Sequence, residues 1–324
     1  MIELDSPLAE LIAAELSAEA PASAVALADA IRAERPGVTS ILFYGSCLRK
    51  KTNSGVFDFY VLVDQYRDTY ESKWLAAGNS ILPPNVFYIE TEFEGETLRA
   101  KYAVLSADDF SSAVEPSCVH PYIWARFAQP SLLVYARDDG ARDHATRCAS
   151  QAVITLVQRL MAFLPATGRV QRFSPAALWH QAFSRTYGAE RRAESREYIA
   201  STYESAAPRY DRAAEIALGI LQESGWIESV TSRGGGVAYE VEMSPMRRSL
   251  MQWRWHLSRP ISRTLAIGRL LKTAFTFGDW VPYAIWKMER HTGEPIELTD
   301  RQRQHPLIFA WPVIWKVYLR RPAR

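Results

Sequence analysis

A glycine and a serine directly after one apolar run, and an aspartate near the start of the next, are the residues of this chain best suited to chemistry. They lie in FYGSCLRKKTNSGVFDFYVLVD, residues 43–64, where Gly45-Ser46 ends a first strand pattern and Asp58 falls early in a second. Glycine lets a backbone approach a phosphate without a Cβ clash, and backbone N–H groups with a serine hydroxyl donate to anionic oxygens. A carboxylate on the neighbouring strand would hold a divalent metal. Read so, Gly45 and Ser46 cradle a triphosphate and Asp58 binds Mg²⁺. The plainer alternative is a Gly-Ser turn beside an acid that caps a strand.

The following segments offer partners. Glu90, Glu92 and Glu94 alternate with Ile89, Thr91 and Phe93, so the acids share one face of a strand. A Gly95-Glu96 turn of type II′ would join Asn85–Phe93 to Thr97–Leu105 and set Glu90 opposite Lys101. Glu90 or Glu92 then supplies a second metal-binding carboxylate, and Lys101 a compact charge for a triphosphate or leaving pyrophosphate. The alternative is an exposed cross-strand ion pair contributing less than about 1 kcal/mol. A carboxylate from another strand is needed because position 60 is Tyr60. Asp64 lies about 20 Å along the strand from Asp58, whereas paired metal ions sit about 4 Å apart.

Several elements must position these groups. Two amphipathic helices are predicted over Leu8–Leu16 and Ala24–Ala33, ended by Pro36-Gly37. Strand patterns follow at Ser40–Tyr44, Val56–Val63, Asn85–Phe93 and Thr97–Leu105, giving a four-stranded sheet with an N-terminal helical layer. From about Pro121 the periodicity turns helical, over Ala141–Phe163, Pro175–Arg196 and Pro208–Gln222, with one hairpin around Gly234-Gly235-Gly236. The expected fold class is α/β: a mixed or antiparallel sheet domain with N-terminal helices over 1–120, a mainly helical domain with a small hairpin over 121–257, and a basic aromatic amphipathic segment over 258–324.

Composition removes other classes. With 48% hydrophobic residues, 38 basic against 36 acidic side chains and three cysteines, the chain is neither disordered nor a disulfide scaffold. A formal charge of +2 argues against a strong nucleic-acid binder. The N-terminus carries acids and no unbroken apolar stretch, so no signal or transit peptide is expected. The apolar run Pro306–Leu319 is broken by Pro312 and Lys316, and it falls short of the roughly 20 residues that span a bilayer.

In order, YGS, DFYVLVD, RAKYAVLS and WARFAQPSLLVY resemble the motifs of the mitochondrial-type phosphatidate cytidylyltransferases. These are also called mitochondrial translocator assembly and maintenance proteins, within the DNA polymerase β-like nucleotidyltransferase superfamily. ALWHQAFSRTYGAERR, residues 177–192, is similar to that family's helix with a SY-x-GD-x-R pattern, which puts Thr186, Tyr187, Glu190 and Arg192 on matching positions. The chain departs at Cys47, where the family usually has glycine, at residues 80–88, and at Glu190 in place of aspartate. The resemblance implies an enzyme that converts CTP and phosphatidate to CDP-diacylglycerol and pyrophosphate with Mg²⁺. Tyr187 and Arg192 would then belong to the nucleotide or phosphate site.

The basic C-terminal stretch fits a lipid acceptor. Ile261, Leu265, Leu271 and Phe275 fall near one helical face, with Arg263, Arg269 and Lys272 elsewhere, and the tail adds Trp311, Trp315 and Tyr318 among basic residues. Such segments bury apolar groups at the headgroup boundary while cations meet anionic lipid. Peripheral attachment at the cytoplasmic face of the cell membrane is therefore expected. Two alternatives stand beside this reading: a nucleotidyltransferase with a non-lipid acceptor, and a catalytically silent membrane-surface adaptor of the same fold.

Overall fold

The computed structural model describes residues 2–189, 195–234 and 238–276. Five strands form the main sheet: β1 (Val38–Tyr44), β2 (Val56–Val63), β3 (Asn85–Phe93), β4 (Glu96–Ser106) and β5 (Ser131–Ala136), in the order β3-β4-β2-β1-β5. β2 and β4 run parallel and the other neighbours antiparallel. The sheet is thus mixed, with helices before it and a helical region after it, as the sequence predicts. β5 is an addition: its Ser-Leu-Leu-Val-Tyr-Ala run pairs with β1, although it follows a short helical turn.

The hairpin between β3 and β4 differs from expectation. Glu94 and Gly95 occupy the turn, with φ of 52° and 82°, and Phe93 pairs with Glu96. Two successive left-handed residues make a type I′ turn, whose twist suits a hairpin. The register is therefore displaced from that predicted: Glu90 lies opposite Arg99, and Lys101 opposite Tyr88.

Strand alternation divides the core in two. Phe43, Phe57, Phe59 and Tyr102 face α2 (Ala22–Glu34), which follows α1 (Pro7–Leu16). Leu42, Tyr60, Leu62 and Leu105 share the other core with α1 and with helices that follow the strands. Between the strands lie α3 (Ser46–Lys50), α4 (Tyr66–Thr69) and α5 (Lys73–Ile81); after β4 come α6 (Ala107–Val114), α7 (Trp124–Phe127) and α8 (Asp139–Leu160). Ser106 and Asp138 cap α6 and α8 by accepting from Asp109 N and Ala141 N.

A second sheet of order β6-β7-β9-β8 is built from β6 (Ala166–Thr167), β7 (Val170–Phe173), β8 (Ser229–Arg233) and β9 (Ala238–Glu242). The helix predicted over Pro175–Arg196 is α9 (Pro175–Ala189); Ser195 then caps a separate α10 (Arg196–Glu204), and α11 (Ala207–Glu223) follows. The described residues up to Thr273 cluster as one compact unit. The tail aromatics Trp311, Trp315 and Tyr318 lie outside the described residues.

The last described helix, α12 (Pro245–Thr276), runs through Pro260 and presents its residues in an inverted sense. Met246, Leu250, Trp253, Leu257, Ile261, Ile267 and Leu271 are exposed, whereas Trp255, Ser258, Ser262 and Arg269 are buried. Arg269 donates to Pro83 O at 2.8 Å, and Lys272 donates to Leu82 O. Two of the basic residues expected to face lipid thus dock on the loop after α5, and an apolar stripe faces outward. Among the described residues no helix is long and apolar enough to cross a membrane.

Candidate active site

The strand register sets five side chains in one row across the main sheet: Tyr88, Lys101, Asp58, Tyr44 and Ser131. Directly paired residues share a face, so Asp58 and Lys101 meet because β2 and β4 are parallel neighbours. Lys101 Nζ lies 2.9 Å from Asp58 Oδ1. The contact is an ion pair in distance but not an aligned hydrogen bond, since Oδ1 is shielded from solvent without a hydrogen-bond partner. The Asp58 side chain is 16% exposed and that of Lys101 41%, so the pair lies at the edge of the core.

Gly45 closes the other side of the carboxylate. It follows β1 with φ 92° and ψ −157°, in the left-handed half of backbone space, and leads into Ser46 at the start of α3. A Cβ built on Gly45 would stand 2.6 Å from Asp58 Oδ2 and 3.3 Å from its Cβ and Cγ. Only glycine satisfies both conformation and contact there. Gly45, Ser46, Asp58 and Lys101 are therefore brought together, the carboxylate between a side-chain-free bend and an ammonium group.

The bend is tied down from elsewhere. In α3, Arg49 donates to Tyr198 Oη at 2.6 Å, and the Tyr198 ring lies 6.1 Å from that of Tyr187. Tyr187 is buried in α9 and donates to Gln129 Oε1 at 3.4 Å. It thus packs beside Tyr198, whose hydroxyl accepts from the helix that carries Ser46. Arg192 and Glu190 lie outside the described residues. Cys47 is buried behind the bend, with its Sγ against Gly55, and Asp64 pairs with Arg137 at 2.5 Å near the far end of β2.

Glu90 points from the same face as Asp58 but two strands away, about 10 Å at ordinary strand spacing. Its Oε1 accepts from Arg99 Nε at 3.1 Å and from Tyr88 Oη at 2.6 Å. The structure does not bring it to Asp58. Among the described residues no group of three or more His, Cys, Asp or Glu side chains could hold a metal. Asp58 alone fits a magnesium ion that is completed by substrate: Mg²⁺ takes one or two carboxylates with phosphate oxygens and water, and Oδ1 is a hard, buried oxygen lacking an aligned donor.

The phenols around Asp58 stay protonated. Burial pushes Tyr44 well above the ordinary tyrosine range, with the Asp58 charge adding to it. Tyr60 is pushed up by burial, reinforced by Tyr122. They can donate hydrogen bonds but cannot serve as bases near neutral pH. Sequence reasoning missed Arg126 and the place of Arg269 in this site; the charges of both act on the tyrosine cluster, from α7 and α12. Arg269 was expected on a lipid-facing helix, and only the packing of α12 on the Pro83 loop brings it here.

No protein-family model matches the chain, and no curated protein shows significant similarity to it.

Proposed function

We propose that this protein is a nucleotidyltransferase that transfers CMP from CTP to phosphatidate at a membrane surface, forming CDP-diacylglycerol and pyrophosphate. The observation that carries the reading is the seating of Asp58 between Gly45 and Lys101. It combines a carboxylate for a metal–triphosphate complex, a half-buried glycine-serine bend whose backbone and hydroxyl suit phosphate oxygens and a cation for the leaving group. In this reading Asp58 holds Mg²⁺, which supplies charge neutralisation for the triphosphate. Gly45 and Ser46 receive its oxygens through the backbone and hydroxyl. A lipid phosphate oxygen forms a bond to the α-phosphorus as the bond to the bridging oxygen of the β-phosphate breaks, and pyrophosphate leaves with that electron pair. Lys101 offsets its growing charge. A phosphate monoester is already an anion, so no strong base is required.

A membrane-bound acceptor is favoured by α12. Between Pro245 and Thr276 the sequence has seven cations, Arg247, Arg248, Arg254, Arg259, Arg263, Arg269 and Lys272, and no acid. With its apolar stripe outward, this helix complements an anionic bilayer surface. Attachment is then peripheral, on the cytoplasmic face.

The test is incubation of the purified protein with each radiolabelled NTP, Mg²⁺ and phosphatidate vesicles. Label is expected in the lipid extract with CTP, and lost in Asp58→Ala. Label in a water-soluble product would move the acceptor off the membrane. Absence of both transfer and Mg²⁺-dependent nucleotide binding would leave a silent adaptor.

A further inference from the structure

Trp74 is 87% exposed and Ile81 83%, the highest values among the large apolar side chains described. Seven residues apart in α5, they share one side of the helix, about 10 Å along it, while Ala76 and Asn79 are buried on the other. Packing fixes that orientation. Asn79 donates to Val104 O of β4 at 3.0 Å and to Tyr70 Oη at 3.1 Å, so α5 cannot turn its apolar side inward without losing both. A lone exposed apolar residue is ordinary, whereas a tryptophan and an isoleucine held outward together mark a contact surface.

α12 meets this helix at its C-terminal end. Lys272 donates to Gly78 O at 3.4 Å and to Leu82 O, and a Cβ built on Gly268 would stand 3.0 Å from Leu82 Cδ2. Ile81 adjoins this seam from α5, and Leu271, 63% exposed, adjoins it from α12. The apolar side of α5 therefore borders the outward stripe of α12. The charges alongside favour one occupant. Lys73, next to Trp74, and Arg263 are exposed, Arg254 and Arg259 are partly exposed, and α12 carries no acid. An indole and aliphatic side chains flanked by cations match a bilayer, where the indole lies at headgroup depth and the cations meet lipid phosphates. A second copy fits less well, since a two-fold contact would set the cation-flanked face against itself.

We propose that Trp74 and Ile81 of α5 enter an anionic bilayer beside the stripe of α12, so that the seam between the two helices, and not α12 alone, is the membrane-contacting face. The loop at this seam leads through Pro83 into β3, whose Tyr88 stands beside Lys101 in the row that runs on to Asp58. Three strand residues, about 10 Å, separate Asn85 from Tyr88. A bilayer-held acceptor then approaches Asp58 from the β3 edge of the sheet. That direction of approach rests on the function proposed above; the contact of α5 with lipid does not.

The experiment is run on the full chain without nucleotide or Mg²⁺, on vesicles of phosphatidylglycerol and phosphatidylcholine with brominated acyl chains. The chain has ten tryptophans, so the emission of Trp74 is taken as the difference between the parent and Trp74→Phe. Bromine in the acyl chains is expected to quench that difference emission. Trp74→Ser/Ile81→Ser is expected to melt like the parent, since both side chains are exposed, and to co-sediment with the vesicles at least about tenfold more weakly, because it lacks their apolar contribution. Trp74→Phe, which keeps an aromatic ring, should retain most of the binding. Co-sedimentation with Trp74 unquenched, or equal binding by the double variant, overturns the α5 contact and leaves attachment through α12 standing. Self-association without vesicles that the double variant abolishes assigns the face to a second copy and overturns it as well. Quenched Trp74 in a protein that transfers nucleotide to no lipid overturns the proposed reaction and leaves the contact standing.

Discussion

Gly45 and Asp58 are packed so closely that a single added methyl group on Gly45 would meet Asp58 Oδ2 at 2.6 Å. The glycine also holds φ 92°, so Gly45→Ala combines a strained backbone, costing about 1–3 kcal/mol, with displacement of the carboxylate. The melting temperature is expected to fall and Mg²⁺-dependent nucleotide binding to disappear. A variant that melts lower but binds nucleotide like the parent would separate this contact from phosphate recognition.

Lys101 tests whether its ion pair serves structure or chemistry. At 41% exposure the pair contributes no more than about 1 kcal/mol to folding, whereas a cation at a developing pyrophosphate charge is worth about a hundredfold or more in rate. Lys101→Met should therefore melt close to the parent and lose transfer activity. A large loss of stability with undiminished turnover would assign Lys101 to the fold alone.

The sequence carries much of this arrangement because it is local. The runs at 56–63 and 85–93 become β2 and β3 with their predicted bounds, since β-branched and aromatic alternation is decided within each run. The row that joins Lys101 to Asp58 was less legible. It depends on the parallel pairing of β2 with β4 and on whether the turn holds Glu94-Gly95 or Gly95-Glu96, and a shift there moved the partner of Glu90 from Lys101 to Arg99. β5 was hidden because its pairing with β1 spans distant sequence. Arg269 was legible as a basic residue on an amphipathic helix, but which face of that helix meets protein is a tertiary fact. Tyr187 was found through resemblance alone, and the structure sets its ring 6.1 Å from that of Tyr198.

A buried ion pair fastens the N-terminal helix. Arg209 Nε in α11 lies 2.6 Å from Glu15 Oε2 in α1, with side-chain exposures of 12% and 14%. Arg209 also donates to Ala128 O, and Glu15 Oε1 accepts from Ser131 N, the first residue of β5. Removing one partner leaves the other charge buried, which costs about 3–5 kcal/mol. Glu15→Ala is expected to destabilise by that order in urea unfolding, and Glu15→Ala/Arg209→Met to recover part of it. Independent, additive losses in the two single variants would show that the pair does not act as a unit.

His120 gives stability an acid dependence. Burial, then the charges of Arg269 and Arg159, lower its pKa from the usual 6.5 to about 4; Cys118 lies against the same segment through its contact with His120 O. Between those values the unfolded chain binds a proton that the folded chain refuses, so stability rises with pH from about 4 to 6.5 and is flat above. The slope from this one group is at most about 1.4 kcal/mol per pH unit. Subtracting the unfolding profile of His120→Gln from that of the parent isolates it from the carboxylates. An identical slope in both would remove His120 as its source.

The outward stripe of α12 makes the remaining prediction. Leu250, Trp253 and Leu257 are exposed, so replacing all three with serine removes little packing, and the melting temperature should stay near that of the parent. Seating such side chains in a bilayer is worth about 1.5–3 kcal/mol each when fully buried, and the basic residues alongside add attraction to anionic headgroups that salt screens. The parent should therefore co-sediment with phosphatidate-containing vesicles, less at high salt and less with phosphatidylcholine alone. The triple variant should bind at least about tenfold more weakly at every salt concentration, because the apolar contribution is the part it lacks. Equal binding by parent and variant would mean that the stripe does not enter the bilayer, and the case for a lipid acceptor would lose the contribution of α12.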